Sequence, residues 1–379
     1  MFRIKLRHLI LSVAVLITCV APLALSAISE ATMMFLAIEP GSRANGMGNS
    51  YVGVADDAYA GWWNPAAFSF NRKTQFAWMH TNWLEGSGLN DMYYEYMGFN
   101  QYFEDIGNLG ANIVYMDYGS QEQTDEQGNS LGTFSSYEFA IDGTYAYDVK
   151  PDKIGVGVGF KFLYSNLGPG TGQTEADQKG KALSYAFDVS GKFKNILHPL
   201  VEGVDLGLVI QNIGPDVTYI NDEQKDPIPM TFRAGLAWKV FDSISETAAP
   251  KDDKNVINLF KQRLTLSADM AKILANDDPL YERIITAWYD DNGLPYNNTF
   301  KNEFESAVFT AGAEYNYLDL ISLRGGYFYD KAGHIVGPSF GVGFHYTFSQ
   351  QYRIFADFAM VTGGELVDYN KTFSLGLEF

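Results

Sequence analysis

The sequence predicts an all-β protein: a transmembrane antiparallel β-barrel of about fourteen strands behind an N-terminal plug. Three observations predict it. Short runs alternate apolar and polar residues with period two. One phase of those runs is almost free of charge. The connections between runs alternate between long and short.

The alternation is plain in Ile154-Gly-Val156-Gly-Val158-Gly-Phe160-Lys-Phe162-Leu-Tyr164, and it recurs at Ser339–Phe348 and Thr372–Phe379. Successive side chains of a strand point to opposite faces, so each such run has one greasy and one polar face. From the fourth run onward the apolar phase holds no Asp, Glu, Lys or Arg except at the run ends Glu305, Asp319 and Lys371. The opposite phase holds Glu138, Asp142, Lys161, Asp188, Lys192, Lys194, Asp205, Arg233, Lys239, Asp269, Glu314, Arg324, His345, Arg353, Asp357 and Glu378. A soluble sandwich would alternate too, turning its charged face to water. Length and aromatic placement favour the barrel. Several runs exceed the five or six residues usual in soluble strands and suit a tilted crossing of about 9–11 residues. Tyr145/Tyr147, Tyr327/Tyr329 and Tyr346/Phe348 crowd run ends, as interfacial girdles do.

In chain order, residues 1–27 read as a signal peptide. Arg3, Lys5, Arg7 and His8 open it, Leu9 to Val20 is apolar, and Ala24-Leu-Ser-Ala27 offers a cleavage site. An uncleaved anchor is the alternative, against which Pro22 and the short apolar core argue. The only cysteine, Cys19, lies in this segment, so no disulfide framework, zinc ribbon or iron–sulfur site is expected.

Residues 28–72 do not alternate. They are rich in small residues and too apolar for a free tail, which reads as a compact plug in the lumen. Gly46, Gly48 and Gly53 lack the spacing and the preceding strand of a phosphate loop.

Residues 73–379 form the barrel. Its runs lie near 74–83, 91–99, 108–118, 135–148, 153–165, 182–194, 203–212, 229–241, 263–271, 305–316, 319–330, 338–348, 351–362 and 371–379. With both ends periplasmic, the odd-to-even connections face outside. Ser120–Gly132, Asn166–Gly180, Gly214–Asp226 and Lys272–Asn302 are long and polar, as such loops should be. Lys150-Pro-Asp152, Leu318-Asp319 and Ser349-Gln350 are the short turns of the other end. Asp242–Gln262, long and charged on the turn side, is the exception. It reads as an insertion and a candidate docking surface.

Composition narrows the function. With 27 Lys+Arg against 45 Asp+Glu the net charge is −18, the wrong sign for coating nucleic acid. No HExxH or paired-His spacing is present. Asp252-Asp253, Asp277-Asp278 and Asp290-Asp291 lack the ligand spacing of a calcium loop. His345, Ser339 and Asp357 share the inward phase and caricature a hydrolase triad, but residues filling a polar lumen are the commoner outcome. No cofactor, metal or catalytic residue is expected.

Some motifs carry a resemblance. Gly46-Met-Gly48, Ala55-Asp56-Asp57-Ala58 and Asn64-Pro65-Ala66, just before the first strand, resemble the N-terminal hatch of the FadL superfamily, and within it the PorV/PorQ family. Pro229–Trp238, Gly312–Tyr315, Leu323–Asp330 and Phe300–Glu305 strengthen the likeness. It implies a fourteen-stranded barrel with a hatch, set in the outer membrane of a Gram-negative bacterium. The implied role is a component of type IX secretion. Its partners would be outer-membrane lipid, secreted cargo with C-terminal signal domains, and other secretion components, and it would pass cargo to surface-attachment machinery. The alternative is a FadL-type channel for small hydrophobic molecules, which needs a greasy pocket beneath the outer loops. A secretion partner needs a docking surface there instead. Tyr281, Ile284, Ile285, Trp288 and Tyr289 are the candidates, and a lid packed on the rim is the competing reading of that cluster.

Overall fold

A computed structural model describes residues 31–85, 91–125, 127–168, 180–219, 225–243, 261–289, 299–348, 351–365 and 367–379. The expected signal peptide, most of the 242–262 connection and residues 290–298 of the long loop therefore lie outside the described residues.

Strands β1 (Gln75–Asn82), β2 (Tyr93–Phe103), β3 (Gly107–Thr124), β4 (Ser130–Lys150), β5 (Ile154–Asn166), β6 (Lys181–Phe193) and β7 (Val204–Ile213) form half the wall. A two-stranded ribbon, β8 (Val217–Thr218) and β9 (Lys225–Asp226), interrupts the next connection. The wall resumes with β10 (Thr231–Asp242), β11 (Gln262–Ile273), β12 (Val308–Tyr317), β13 (Ile321–Asp330), β14 (Ile335–Phe348), β15 (Tyr352–Thr362) and β16 (Tyr369–Glu378). Each pairs antiparallel with its neighbour, and β16 pairs with β1 to close a barrel of fourteen strands. Closure leaves the wall no unpaired edge, which is what lets a sheet cross lipid. Among the described residues no helix is long and apolar enough to do so.

All fourteen runs are strands, and the phases fall as the alternation requires. Val156, Val158 and Phe160 of β5, and Phe340, Val342 and Phe344 of β14, are exposed on the outside. On the opposite phase Lys161, Asp188, Glu314, Arg324 and Asp357 are buried inside. Lys194, Lys239, Arg353 and Glu378, nearer the strand ends, keep partial exposure. Tyr93, Tyr115, Tyr137 and Tyr164 stand side by side across β2 to β5 with ring centroids 5.9 to 6.0 Å apart, an aromatic girdle toward the end bearing the long loops.

One connection differs from expectation. Ser120–Gly132 is not an irregular loop, because β3 and β4 run on as a ribbon, 18 and 21 residues long, turning only at 125–129. Above the wall both faces of a ribbon meet water, so the greasy phase that marks a strand in sequence is missing there. At 242–262 the strands continue to the base of the connection, where Ser243 N donates to Gln262 O at 2.9 Å.

The two phases predict different failures at adjacent residues. Phe358 of β15 is 40% exposed on the outer face, so Phe358→Arg should cost about 2–4 kcal/mol if it faces mid-bilayer. Asp357, beside it, holds Arg324 NH1 at 2.5 Å with the Arg324 side chain fully buried. Asp357→Asn should therefore also cost on the order of 2–3 kcal/mol, limited because Arg324 keeps Glu314. A detergent-refolding titration of both variants measures this. A neutral Phe358→Arg would invert the phase assignment.

Candidate functional site

The lumen is occupied by residues 32–70. This segment is built from short pieces: 3₁₀ turns at Met34–Ala37 and Pro65–Phe70, and helical turns at Ser42–Gly46 and Ala60–Trp63. None could stand alone, since isolated helices this short are unstable in water. Packing supplies the stability. Phe35, Met47, Tyr51, Tyr59, Trp62, Trp63 and Phe68 are at most 2% exposed. Trp63 Nε1 donates to Pro40 O at 2.8 Å, and Trp62 and Trp63 meet edge to face at 4.9 Å.

Glycines on the inward phase of the wall let the segment's backbone approach. A Cβ on Gly326 of β13 would lie 2.2 Å from Gly48 N, and one on Gly157 of β5 would lie 2.3 Å from Ala66 N. Gly207 of β7 admits Val52 O in the same way, and Gly341 of β14 meets Gly46. Gly48 also has φ +66°, which side chains rarely adopt.

Hydrogen bonds complete the attachment. Asp269 of β11 accepts from Tyr51 N at 2.6 Å and Val52 N at 2.7 Å. Lys192 of β6 donates to Ala55 O at 2.6 Å, and Ala66 N donates to Ser190 Oγ at 2.9 Å. Arg43 has the densest contacts. Its Nε and NH2 each donate to Glu314 of β12 at 2.8 Å, and NH1 lies 2.5 Å from Asp56 and 3.3 Å from Asp57. From Glu314 the chain of charges continues through Arg324 to Asp357, 2.7 and 2.5 Å apart. Glu39 pairs likewise with Arg233 of β10 at 2.5 Å.

Enclosure in the lumen works against the charge on Asp56, but the Arg43 guanidinium outweighs it and holds the carboxyl at about 2. Burial instead raises Asp57 and Glu39 above the usual carboxylate range. A depressed acid stabilises fully above its ordinary value, near 4, and loses that contribution as pH falls toward 2. Protease access to residues 31–72 should therefore rise over that window, and Asp56→Asn should flatten the rise.

The residues picked out in the sequence fall into two places. Gly46, Gly48, Asp56, Asp57, Asn64, Pro65 and Ala66 all make contacts inside the barrel: Asn64 Nδ2 donates to Val52 O at 3.2 Å, and Pro65 opens the last 3₁₀ turn. Arg43 escaped notice although it is the only cation in 28–71, among Glu30, Glu39, Asp56 and Asp57. That isolation was the available signal. The inward glycines were visible as well, but only as the polar phase of strands.

Tyr281, Trp288 and Tyr289 belong to the loop-end rim, and the structure divides them. The helix Leu280–Thr286 is pinned by Arg283, which donates to Asp216 through its two terminal nitrogens at 2.7 and 3.0 Å. Trp288 packs against Phe232 and Phe300, each with ring centroids 6.2 Å away. Tyr281, Ile285 and Tyr289 project outward at 76, 68 and 58% exposure.

A cavity of about 380 Å³ lies between segment and wall toward the opposite end, lined by Arg43, Asp56, Lys192, Lys194, Glu314 and Asp357 among others. It is charged in both signs. His345 faces Arg353 at 2.7 Å and Asp357 at 3.7 Å, while Ser339 Oγ has no partner, so the three residues form no triad.

A closed fourteen-strand wall, greasy outside and charged within, around a buried N-terminal segment defines a membrane-spanning β-barrel with a filled lumen. The fold is similar to that of the Ralstonia pickettii toluene transporter TbuX, with a TM-score of 0.50 at 13% identity over 89% of this chain and 97% of that one. The Pseudomonas putida toluene transporter TodX gives 0.49 at 13% identity over 94% and 98%. At such identity the likeness to TbuX shows the fold alone. No curated protein matches the sequence. The chain belongs to the family of type IX secretion system protein PorV, whose model matches residues 25–257, the lumenal segment and β1 to β10. It is thus an outer-membrane barrel of type IX secretion.

Proposed function

We propose that this barrel works through its surface: it binds secreted cargo at the extracellular face and passes it to the machinery that attaches cargo to the cell. The loop-bearing end is the extracellular one, and the end with the chain terminus and short turns is periplasmic, in a Gram-negative envelope. Residues 28–72 act as a plug. The observation that carries the reading is the way the lumen is filled. Backbone packed on backbone at Gly326 and Gly157, with the ion pair of Arg43 and Glu314, supports a lumen filled by the segment over a greasy passage. The exposed Tyr281 and Ile285, on a helix pinned at Arg283, with Tyr289 just beyond its end, give a preorganised surface that includes the tyrosines favoured where binding energy concentrates. The charged character of the 380 Å³ cavity also fits poorly with a hydrophobic solute. The test is recovery of the tagged protein from outer-membrane extracts. Secreted proteins sharing a C-terminal domain should co-purify, and their absence from a secreting culture would count against the reading.

A further inference from the structure

At the loop end of the lumen one acid has no counter-charge. Glu138 of β4 points inward, one residue from Tyr137 of the girdle, and is 2% exposed. Its partners across the sheet are Met116 of β3 and Ser165 of β5, with the apolar Ala140 and Leu163 below, and all four are buried. Tyr118 Oη donates to Glu138 Oε2 at 2.5 Å. Glu138 Oε1 and Ser165 Oγ are enclosed with no hydrogen-bond partner among the described residues. The Tyr219 hydroxyl lies close to Thr32, Ser165 and Glu138 without bonding geometry to any of them. No described cation acts on Glu138. Lys161, the one cation of β5, is held by Asp188 and Asn212. A carboxylate buried without a counter-ion is costly, so this arrangement is incomplete as it stands.

The lumenal segment can supply the missing charge. It enters the lumen at this same end, where Thr32 N donates to Pro227 O at 2.9 Å. It leaves at the other end, where Thr74 N donates to Phe379 O at 2.8 Å. Cleavage after Ala27 puts the new terminus at Ile28, four residues before Thr32, and four residues reach about 13 Å. Hydrolysis of the Ala27–Ile28 amide by water leaves a carboxylate on the leader and a free amine on the barrel, protonated near neutral pH. From Ile28 to Ser42 the sequence holds neither Lys nor Arg. That ammonium is therefore the single positive charge this stretch can bring.

We propose that Glu138 is the binding site of the α-ammonium group freed at Ile28, a primary ammonium held by one buried carboxylate and the Ser165 and Tyr219 hydroxyls. The inference rests on residues 1–27 being a cleaved leader. Leader removal then seats the upper end of the segment through a charge-assisted bond. An uncleaved chain carries a neutral amide at Ile28 and leaves Glu138 without its cation. The contact lies inside the barrel, apart from the rim assigned to cargo, so the two can be lost separately.

Acylation of the terminal amine tests this on the mature barrel purified in detergent, read by mass spectrometry of the peptide that begins at Ile28. A carboxylate against the ammonium disfavours the neutral, reactive amine. Ile28 should therefore react at least about ten-fold more slowly in the folded barrel than in the heat-unfolded chain. Glu138→Gln should abolish that protection with heat-modifiable gel mobility retained. Glu122→Gln, on the exposed ribbon above, should leave it unchanged. In the parent, a carbodiimide should join the Ile28 amine to the Glu138 carboxyl as an amide. A leader still attached to the assembled barrel would overturn the proposal. So would an amine that reacts as fast folded as unfolded, protection unchanged by Glu138→Gln, or a carbodiimide link that is missing or made to another carboxylate. Should Glu138→Gln fail to assemble, the link in the parent decides alone.

Discussion

Arg43→Met is expected to release the N-terminal segment from the lumen while leaving the wall assembled. The guanidinium makes a two-point bond to Glu314 and reaches Asp56 and Asp57. It also lies over the Tyr51 ring, 5.3 Å from its centroid. Methionine fills much the same volume but leaves three acids around an apolar side chain. Glu314 retains Arg324 and Asp56 is half-exposed to water, so the loss falls chiefly on the largely buried Asp57, at a cost of about 1–3 kcal/mol. Because the strands pair through their own backbones, the loss falls on the segment. Limited proteolysis in detergent should cut within residues 31–72 in the variant and not in the parent, with heat-modifiable mobility retained. Arg43→Lys should recover only part of the protection, since an ammonium cannot make the two-point contact. Equal protection of all three proteins would mean that the ion pairs contribute nothing to seating the segment.

Gly326→Ala should have a similarly large effect from a single methyl group. Its Cβ would sit 2.2 Å from both Gly48 N and Met47 C, backbone atoms with no side-chain freedom to yield. The segment must move bodily, at a cost of about 3 kcal/mol, the upper end for overpacking. Gly325 is the internal control. It faces outward, a Cβ there would meet nothing within 4 Å, and Gly325→Ala should leave stability unchanged. Thermal unfolding followed by gel mobility distinguishes the two. Similar behaviour of the neighbours would show that the backbone contact at Gly48 is not tight.

These two positions also show how far the sequence could be read. Arg324 and Gly326 sit on one phase and Leu323 and Gly325 on the other, so the direction of each was legible from period-two alternation alone. What Gly326 admits was not, because a missing side chain carries no sign of the backbone that fills its place. The fold was legible for the same reason throughout: a wall between lipid and a polar interior imposes its pattern on every strand. The ribbon above β3 and β4, wet on both faces, had no such pattern and read as a loop. The lumenal segment was legible as small and apolar, but its seating depends on partners such as Asp269 and Glu314, more than two hundred positions away. At the rim, Trp288 and Tyr289 looked alike in sequence. Only the fold turns Trp288 onto Phe232 and leaves Tyr289 exposed.

That division determines how the functional account is best tested. A Trp288 variant would disturb the packing of the rim, so the informative change is Tyr281→Ser with Ile285→Ser, which removes exposed surface and leaves Arg283 and Trp288 in place. Secretion and uptake of a hydrophobic solute should be measured side by side in cells carrying this double variant. The account predicts that secreted proteins accumulate in the periplasm and no longer co-purify, with solute uptake unaltered. Normal secretion together with slowed uptake would contradict it and assign the barrel to solute passage instead.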